Sequence, residues 1–308
     1  MSNGILKYLN PFSRLLFVIL MMIACFLLTA IAGMLLAIPM FHINLFRDMS
    51  VLSDFDNPGA ISLLKFFQIL QSVGLFILPA LIAGWLFERN TLVYNGLNKS
   101  PGGVLALLVL GIMMASLPAI NWLSSLNEMM KLPAGLSGLE QWMKDTEEQA
   151  GKITEAFLDV TTVGGFLVNL LMIAIIPAIG EELFFRGILQ RLLGEWFRNI
   201  HVAVFVTAFL FGAIHMQFYG LLPRVLLGLM FGYFYVWSES LWVPILAHFI
   251  NNGAAVIVSF IAAKGMIDTK YEDFGATSNV YLIIISFLAT GFLLFMMRKL
   301  TSRKPFFQ

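Results

Sequence analysis

The sequence predicts an all-α fold, a polytopic membrane bundle of about eight transmembrane helices around an interior polar cavity. Two features of composition point to the membrane: 59% of the 308 residues are hydrophobic and only 12% are charged. The mean hydropathy of +0.86 agrees with them. Soluble domains carry about twice that share of charge, so this chain needs lipid around it. The third observation is that a few ionisable residues interrupt the apolar segments, which predicts the polar cavity.

Net charge and cysteine content exclude several classes of function. The net charge is +1, so no basic surface indicates a nucleic-acid partner. The chain has one cysteine, Cys25, inside an apolar run. A single cysteine excludes an intrachain disulfide framework and a multi-cysteine metal site.

The apolar segments define the predicted helices, since about 20 apolar residues cross a bilayer. An eighth segment, roughly 219–238, is the least regular because Pro223 and Arg224 interrupt it. The segments that contain no Asp, Glu, Lys or Arg are 15–41, 66–87, 100–127, 160–180, 199–223, 240–263 and 274–297.

The first apolar segment, 15–41, follows Lys7 and Arg14 and so resembles the start of a secretory signal. Its 27 uncharged residues exceed the apolar region of a signal peptide, and further spans follow. We therefore expect an uncleaved first span.

The longest polar stretch follows the third span. Within it the spacing of Leu139, Trp142, Met143 and Thr146 indicates an amphipathic helix at the membrane interface. We expect three parts in the chain. They are residues 1–159 with three spans and the polar loop 124–159, a core at 160–263, and residues 264–308 with the last span and a basic cytoplasmic tail.

Basic residues predict the orientation, because they are enriched in cytoplasmic loops. A cytoplasmic N-terminus places ten Lys and Arg inside and six outside, while Lys65, Arg186 and Arg224 lie at or within spans. We therefore predict a multi-pass protein of the cell (inner or plasma) membrane with both termini cytoplasmic. The ten are Lys7, Arg14, Arg89, Lys99, Arg191, Arg198, Arg298, Lys299, Arg303 and Lys304, and the six are Arg47, Lys131, Lys144, Lys152, Lys264 and Lys270.

Two adjacent acids, Glu181 and Glu182, lie well inside the apolar pattern. A carboxylate in hydrocarbon costs several kcal/mol, so such residues usually face the bundle interior and serve a function. Glu182 and Arg186 are four residues apart, the favourable order for a helical ion pair. At five residues from Arg186, Glu181 is poorly placed to share that face. Glu182 is therefore the expected partner of Arg186, and Glu181 is left to face a wet cavity.

Later apolar segments supply two histidines and an amide. His215 lies four residues after Phe211, and Asn252 lies four residues after His248, so each pair shares a helix face. His42 and His201 lie near segment ends, where no such pairing occurs.

This set of residues supports two hydrolytic chemistries. A carboxylate shielded from solvent can act as a general base on water, while histidine and amide groups stabilise the oxyanion. Alternatively Glu181, His215 and His248 could bind zinc and leave one position for water. The chain has no His-Glu-x-x-His pair, Gly-x-Ser-x-Gly elbow or phosphate-binding loop.

Three motifs together resemble the CAAX protease and bacteriocin-processing (CPBP, or Abi) family of intramembrane endopeptidases, which includes the type II CAAX prenyl endopeptidases. Their order, internal spacing and membrane setting agree, and the resemblance covers about residues 160–260. The motifs are Glu181-Glu182-x-x-x-Arg186, Phe211-x-x-x-His215 and His248-x-x-x-Asn252.

The resemblance implies an eight-helix bundle with a cytoplasm-facing cavity. It implies that Glu181 activates water, that His215 assists, and that His248 with Asn252 forms the oxyanion site. Glu182 and Arg186, with Phe211 of the second motif, would be structural supports. The family has been described both as metalloproteases and as glutamate proteases, so possible zinc binding is inherited as an open question.

The resemblance also implies a protein or peptide substrate at the bilayer, which could be C-terminal and lipidated, although no prenyl-binding groove is evident. Two other functions stay open: a transporter with a buried Glu and His relay, and a non-catalytic membrane scaffold or immunity protein.

One conflict concerns depth in the membrane. A span at 160–185 places Glu181 near its cytoplasmic end, whereas His215 falls toward the outer end of the next span. A tilted or re-entrant helix, or a shifted boundary, is needed to bring them together.

Overall fold

The computed structural model describes residues 4–55, 57–269 and 271–301, and within these ranges every regular element is helical. Proline or asparagine starts several helices. Pro11 and Pro58 occupy first-turn positions behind the caps Asn10 and Asn57, where a missing N–H costs nothing. The helices are α1 (Pro11–Phe41), α2 (Pro58–Glu88), α3 (Gly102–Glu128), α4 (Ser137–Leu158), α5 (Val163–Phe197), α6 (Ile200–Ala213), α7 (Leu221–Ser238), α8 (Trp242–Ala263) and α9 (Val280–Thr301).

The prediction of a polytopic helical membrane bundle is confirmed. Seven helices in the described ranges are long and apolar enough to cross a membrane, and α6 is a shorter apolar helix. The prediction for 199–223 was therefore wrong, because α6 ends at Ala213. The irregular segment at 219–238 is instead one of the seven, starting at Phe218. Pro223 lies in the first turn of α7, where proline is tolerated.

The helices run up and down between the two ends of the bundle. We call the end that holds the start of α1 and the end of α9 the terminal end. At the terminal end, ion pairs join the N-terminal segment and the short connections, as in Lys7–Glu88 and Lys99–Glu239. At the opposite end, which we call the loop end, lie the described parts of the connections between helices, at 42–55, 129–162, 264–269 and 271–279. Asn121 at this end donates from Nδ2 to the carbonyl of Phe274 at 3.0 Å. Each long helix runs from one end to the other.

Helix α4 is the predicted amphipathic helix, and it lies across the loop end. Lys65 Nζ donates to the carbonyl of Phe157, in the last turn of α4, at 2.9 Å and to Asn169 Oδ1 at 2.8 Å. A cation at a helix C-terminus is favourable because the last carbonyls there lack partners. The middle of α4 is held by Glu147 Oε2, which accepts from the backbone N–H of Tyr219 at 3.1 Å.

The conflict in depth is resolved by the length of α5. This helix has 35 residues, so Glu181 lies near its middle rather than at its end. At a rise of 1.5 Å per residue, Glu181 lies about 24 Å from Phe197, at the end of α5. On the same scale, His215 lies about 22 Å from Ile200, at the start of the antiparallel helix α6. Arg198, in a left-handed conformation at φ 52°, ends α5. The two side chains therefore meet at the same depth.

Close packing beside the site depends on Gly180. A Cβ at this position would lie 2.9 Å from Ile77 Cγ1 and 3.4 Å from Phe76 Cβ. Both neighbours belong to α2, so Gly180 lets α2 approach α5 directly before Glu181. A larger side chain here forces the two helices apart.

We expect Gly180→Val to destabilise the protein by about 1–3 kcal/mol, the usual cost of overpacking a filled interior. Thermal unfolding in detergent measures the change. Gly291→Val on α9 is the matched control, because a Cβ at Gly291 meets nothing within 4 Å. Equal effects of the two substitutions would contradict the packing role of Gly180.

Candidate active site

Glu181, His215 and Asn252 line one cavity inside the bundle, with a volume of about 430 Å³. They come from α5, the residues after α6, and α8 respectively. The fourth predicted residue, His248, is buried behind this wall. The structure thus brings together all four residues predicted to be catalytic.

The centre of the site is a buried ion pair. Arg186 Nη1 donates to Glu182 Oε1 at 2.7 Å, and both side chains are fully buried. Arg186 Nη2 donates to the carbonyl of Gly228 on α7 at 3.0 Å. The guanidinium also lies over the rings of Phe211, at 4.6 Å, and Phe231, at 5.4 Å. The ion pair, the hydrogen bond and the aromatic faces together offset the free energy that Arg186 loses when its guanidinium is removed from water.

The helix that carries these residues is locally widened. Residues Leu183–Leu189 form a π-helical segment, and a second one spans Leu170–Ile175. Ideal α-helical angles therefore do not apply between Glu181 and Arg186, although the expected Glu182–Arg186 pair forms. π-Helical turns inside α-helices frequently occur at functional sites.

His248 lies between the two carboxylates. Its Nδ1 is 2.9 Å from Glu182 Oε1, and its Nε2 is 3.9 Å from Glu181 Oε2. The ring stacks on Phe231 at 5.6 Å and meets Phe211 edge-on at 5.9 Å. Glu182 is therefore more than a partner for Arg186, because it also fixes the orientation of His248.

Asn252 is positioned by a proline on α5. Pro177 has no N–H to donate to the carbonyl four residues earlier, which is that of Ile173. Asn252 Nδ2 donates to this Ile173 carbonyl at 2.9 Å and lies 3.2 Å from His248 Nε2. The sequence of α5 thus creates the acceptor that holds the amide of α8.

The hydrogen-bond partners assign the histidine tautomers. Glu182 accepts at Nδ1 of His248, so that nitrogen carries the proton, and Nε2 accepts from Asn252 while the ring is neutral. His215 Nδ1 lies 2.8 Å from the carbonyl of Phe211 and donates to it. Its Nε2 is then left with a lone pair. His248 is thus held through both ring nitrogens, whereas His215 is held through Nδ1 and keeps Nε2 for chemistry.

Glu181 differs from its neighbour. Its side chain is 12% exposed, and its buried Oε2 lacks a hydrogen-bond partner among the described residues. Glu182 is fully buried and bonded through Oε1 to both Arg186 and His248, although its Oε2, like that of Glu181, lacks a hydrogen-bond partner among the described residues. The division predicted from sequence, with one braced acid and one facing the cavity, matches this geometry.

The side chains around the cavity do not form a zinc site. Within residues 4–55, 57–269 and 271–301, no group of three His, Cys, Asp or Glu side chains is arranged to hold a metal ion. Glu181, His215 and His248 line or border one site without converging as ligands. The residues as placed do not fit zinc, and the mechanism below uses no metal.

Sequence reasoning missed several polar groups around the site. Gln68 and Gln71 on α2 and Gln217 after α6 line the same cavity. Gln217 is held by Arg224, which donates to its side-chain and backbone oxygens. The sequence signal for Gln68 and Gln71 is an uncharged amide inside an apolar segment, which a count of charged residues does not detect.

Comparison with known proteins agrees with the motif resemblance. Residues 163–254 match the family described as Type II CAAX prenyl endopeptidase Rce1-like. This range contains α5 to most of α8 and every residue of the three motifs.

Two curated relatives from Bacillus subtilis (strain 168) are similar over part of the chain. One, "Putative membrane peptidase YdiL", is 28% identical over 117 residues, or 38% of this chain and 47% of the relative. The other, "Uncharacterized protein YpbD", is 30% identical over 89 residues, or 27% of this chain and 41% of the relative. The matched regions thus span less than half the length of each relative. No solved structure matches this chain.

Proposed function

We propose that this chain, whose core belongs to the CPBP family of membrane peptidases, is an intramembrane endopeptidase that hydrolyses a peptide bond in a membrane-associated polypeptide. The observation that carries the proposal is the unpartnered carboxylate oxygen of Glu181. This oxygen lies 3.9 Å from His248 Nε2, and the Glu181 side chain lines the cavity within the bundle. A buried carboxylate without a structural partner is a strong candidate for a functional group.

In the proposed mechanism, Glu181 removes a proton from water as the water oxygen attacks the scissile carbonyl carbon. The carbonyl π-electrons move to oxygen and form the tetrahedral oxyanion. Glu181 then returns its proton to the leaving nitrogen as the C–N bond breaks. The products are a carboxyl terminus and an amine, so the water is fully accounted for.

The remaining residues supply donors and orientation. Asn252 Nδ2 donates one N–H to the Ile173 carbonyl, and its second N–H, which bonds to the neutral His248 ring, is available to the oxyanion once His248 Nε2 carries a proton. Donors fixed before reaction stabilise an oxyanion most effectively. When His248 is protonated, its Nε2 also becomes a donor, and Glu182 at Nδ1 supports the positive ring. His215 Nε2, with its lone pair, assists in orienting the attacking water.

The setting of this reaction is part of the proposal. We place the protein in the cell (inner or plasma) membrane, with both termini cytoplasmic because the terminal end is rich in basic residues. The substrate is a protein or peptide at the bilayer. A lipidated C-terminal substrate stays a prediction that the experiment below tests.

The deciding experiment compares membrane-associated peptides in cells carrying the wild-type chain and cells carrying Glu181→Ala. We expect fragments that are present with the wild type and absent with the variant. The fragments identify the cleaved bond and any lipid near it. Equal fragments at equal protein levels would contradict the endopeptidase. If Glu181→Ala abolishes an ion flux and leaves the fragments unchanged, the alternative of a transporter with a buried Glu and His relay is favoured.

Metal dependence has its own test. We expect 1,10-phenanthroline and EDTA to leave Glu181-dependent cleavage unchanged, because the candidate ligands do not converge on one point. Metal analysis of the purified protein accompanies the assay. Stoichiometric zinc, together with loss of cleavage on chelation and its return on zinc addition, would overturn this expectation.

A further inference from the structure

We propose that Gln217 is a substrate-binding residue, whose side-chain amide donates a hydrogen bond to a main-chain carbonyl of the polypeptide in the Glu181 cavity, and that Arg224 positions this amide. For the identity of the ligand we rely on the proposed function. Three features of the chain itself carry the rest: the contact between Arg224 and Gln217, the backbone between His215 and Gln217, and the place of both partners relative to the cavity.

Arg224 is a cation in the first turn of α7, within a segment that is apolar enough to cross a membrane. Its guanidinium bonds twice to Gln217. Nη1 donates to the backbone carbonyl of Gln217 at 3.3 Å, and Nη2 donates to Gln217 Oε1. A charged side chain inside an apolar segment is costly and usually serves a function through its partner, so the role of Arg224 is to be sought in Gln217.

The contact with Arg224 fixes which way the amide of Gln217 faces. A guanidinium has only donors, so the amide atom that meets it must be the oxygen, and the NH2 group occupies the other side. Arg224 lines a polar cleft beside the Glu181 cavity, whereas Gln217 lines both the cleft and the cavity. The oxygen therefore faces the cleft. Nε2, which has no hydrogen-bond partner among the described residues, is left on the side of the cavity.

The backbone that carries Gln217 is strained at one residue and held at its neighbours. Met216, between His215 and Gln217, adopts the left-handed conformation at φ 54°, which is unfavourable for a residue with a Cβ. Such strain persists only where surrounding contacts maintain it, and it clusters at functional sites. The buried Asn127 of α3 supplies one such contact, because its Nδ2 donates to the carbonyl of Phe218 at 3.0 Å. One short, fixed segment therefore presents both His215 and Gln217 to the cavity.

A fixed NH2 group in this place suits a main-chain carbonyl. The lining around it includes many apolar side chains, among them Leu75, Ile153 and Met172. A substrate that fills the cavity displaces water from the amide, and it must offer an acceptor in place of that water. Every residue of a polypeptide supplies a carbonyl, whatever its side chain. Gln217 would therefore bind the substrate through its backbone and place little demand on its sequence.

The variant Gln217→Glu separates substrate binding from structure. A glutamate side chain keeps an oxygen for Arg224 and pairs with it as a charge, but it has no NH2 group, so the variant should unfold at no lower a temperature than the wild type. Gln217→Met removes the same donor without adding charge. Gln149→Glu is the matched control, because Gln149 is exposed on α4 and is not among the residues that line the cavity.

The probe is a synthetic peptide that spans a bond whose cleavage in membranes depends on Glu181, assayed with the purified full-length chain in proteoliposomes. We expect KM to rise by roughly 3–10-fold in both Gln217 variants, as for the loss of one hydrogen bond, with kcat close to that of the wild type. Gln149→Glu should change neither constant. An unchanged KM in either Gln217 variant would overturn the proposal. A fall in kcat alone would also overturn it, because Gln217 would then orient the attacking water.

The positioning role of Arg224 has its own arm. Arg224→Met should raise KM as Gln217→Met does, and the double variant should raise it no further, because both substitutions act through one hydrogen bond to the substrate. Additive effects on KM would contradict the role of Arg224. Failure of the proposed function is distinguishable. Absence of any Glu181-dependent cleavage would remove both proposals, whereas normal cleavage with an unchanged KM in the Gln217 variants would remove this one alone.

Discussion

Glu181→Gln is expected to abolish cleavage while the protein still inserts and folds. The substitution keeps the size of the side chain and removes the group that accepts the proton of water. General-base catalysis contributes roughly 10²–10⁴-fold to rate, so turnover should fall by at least about that factor. Cleavage of a substrate found in the membrane comparison measures the effect, with thermal unfolding in detergent as the check on folding.

The matched control is Glu148→Gln on α4. Glu148 is 67% exposed at its side chain and pairs with Lys152 on the surface, where ion pairs contribute about 0–1 kcal/mol. The Glu148→Gln variant should cleave the substrate at the wild-type rate and unfold at the wild-type temperature. Full cleavage by Glu181→Gln would contradict the proposed mechanism, because among the described residues that line the cavity no second acid could take its place.

The sequence was sufficient to locate the site because charge is scarce in this chain. An acid inside an apolar run is conspicuous, and the spacing of four between Glu182 and Arg186 predicts their contact without tertiary information. The same spacing predicts the neighbours Phe211–His215 and His248–Asn252. Local geometry thus accounts for each motif separately.

Contacts between motifs were beyond sequence reasoning. The bond from His248 to Glu182 joins α8 to α5 over 66 positions, and no local pattern encodes it. The π-helical turns of α5 and the early end of α6 likewise depend on packing. The predicted C-terminal boundary of α6 was too late, because it was set by the first charged residue. Gln217 and Tyr219 are uncharged but lie beyond the end of α6.

Uncharged amides are a second feature that a prediction based on charged residues overlooks. Gln68 and Gln71 are polar yet uncharged, so they passed as part of an apolar segment. Burying an unpaired amide also costs free energy, which makes such residues worth weighing beside the acids. Only the structure shows that both face the cavity of Glu181.

Arg186→Met is expected to destabilise the protein by about 3–5 kcal/mol, the cost of leaving one member of a buried ion pair behind. The variant leaves Glu182 buried with His248 as its remaining partner. It also removes the hydrogen bond to Gly228 and the contacts with two aromatic rings. Thermal unfolding in detergent measures the loss, and cleavage should fall because His248 is no longer held by a fixed carboxylate.

The double variant Glu182→Gln with Arg186→Met distinguishes charge from packing. Gln keeps an oxygen that can accept from His248 Nδ1 and carries no charge, so the double variant should be more stable than Arg186→Met alone. Replacing both members of a buried pair often costs little, and residues in contact are expected to be non-additive. Simple additivity would mean that Arg186 acts through its contacts with α6 and α7 alone. A clear recovery would mean that the Glu182 charge, placed to orient His248, is what requires an arginine at this depth.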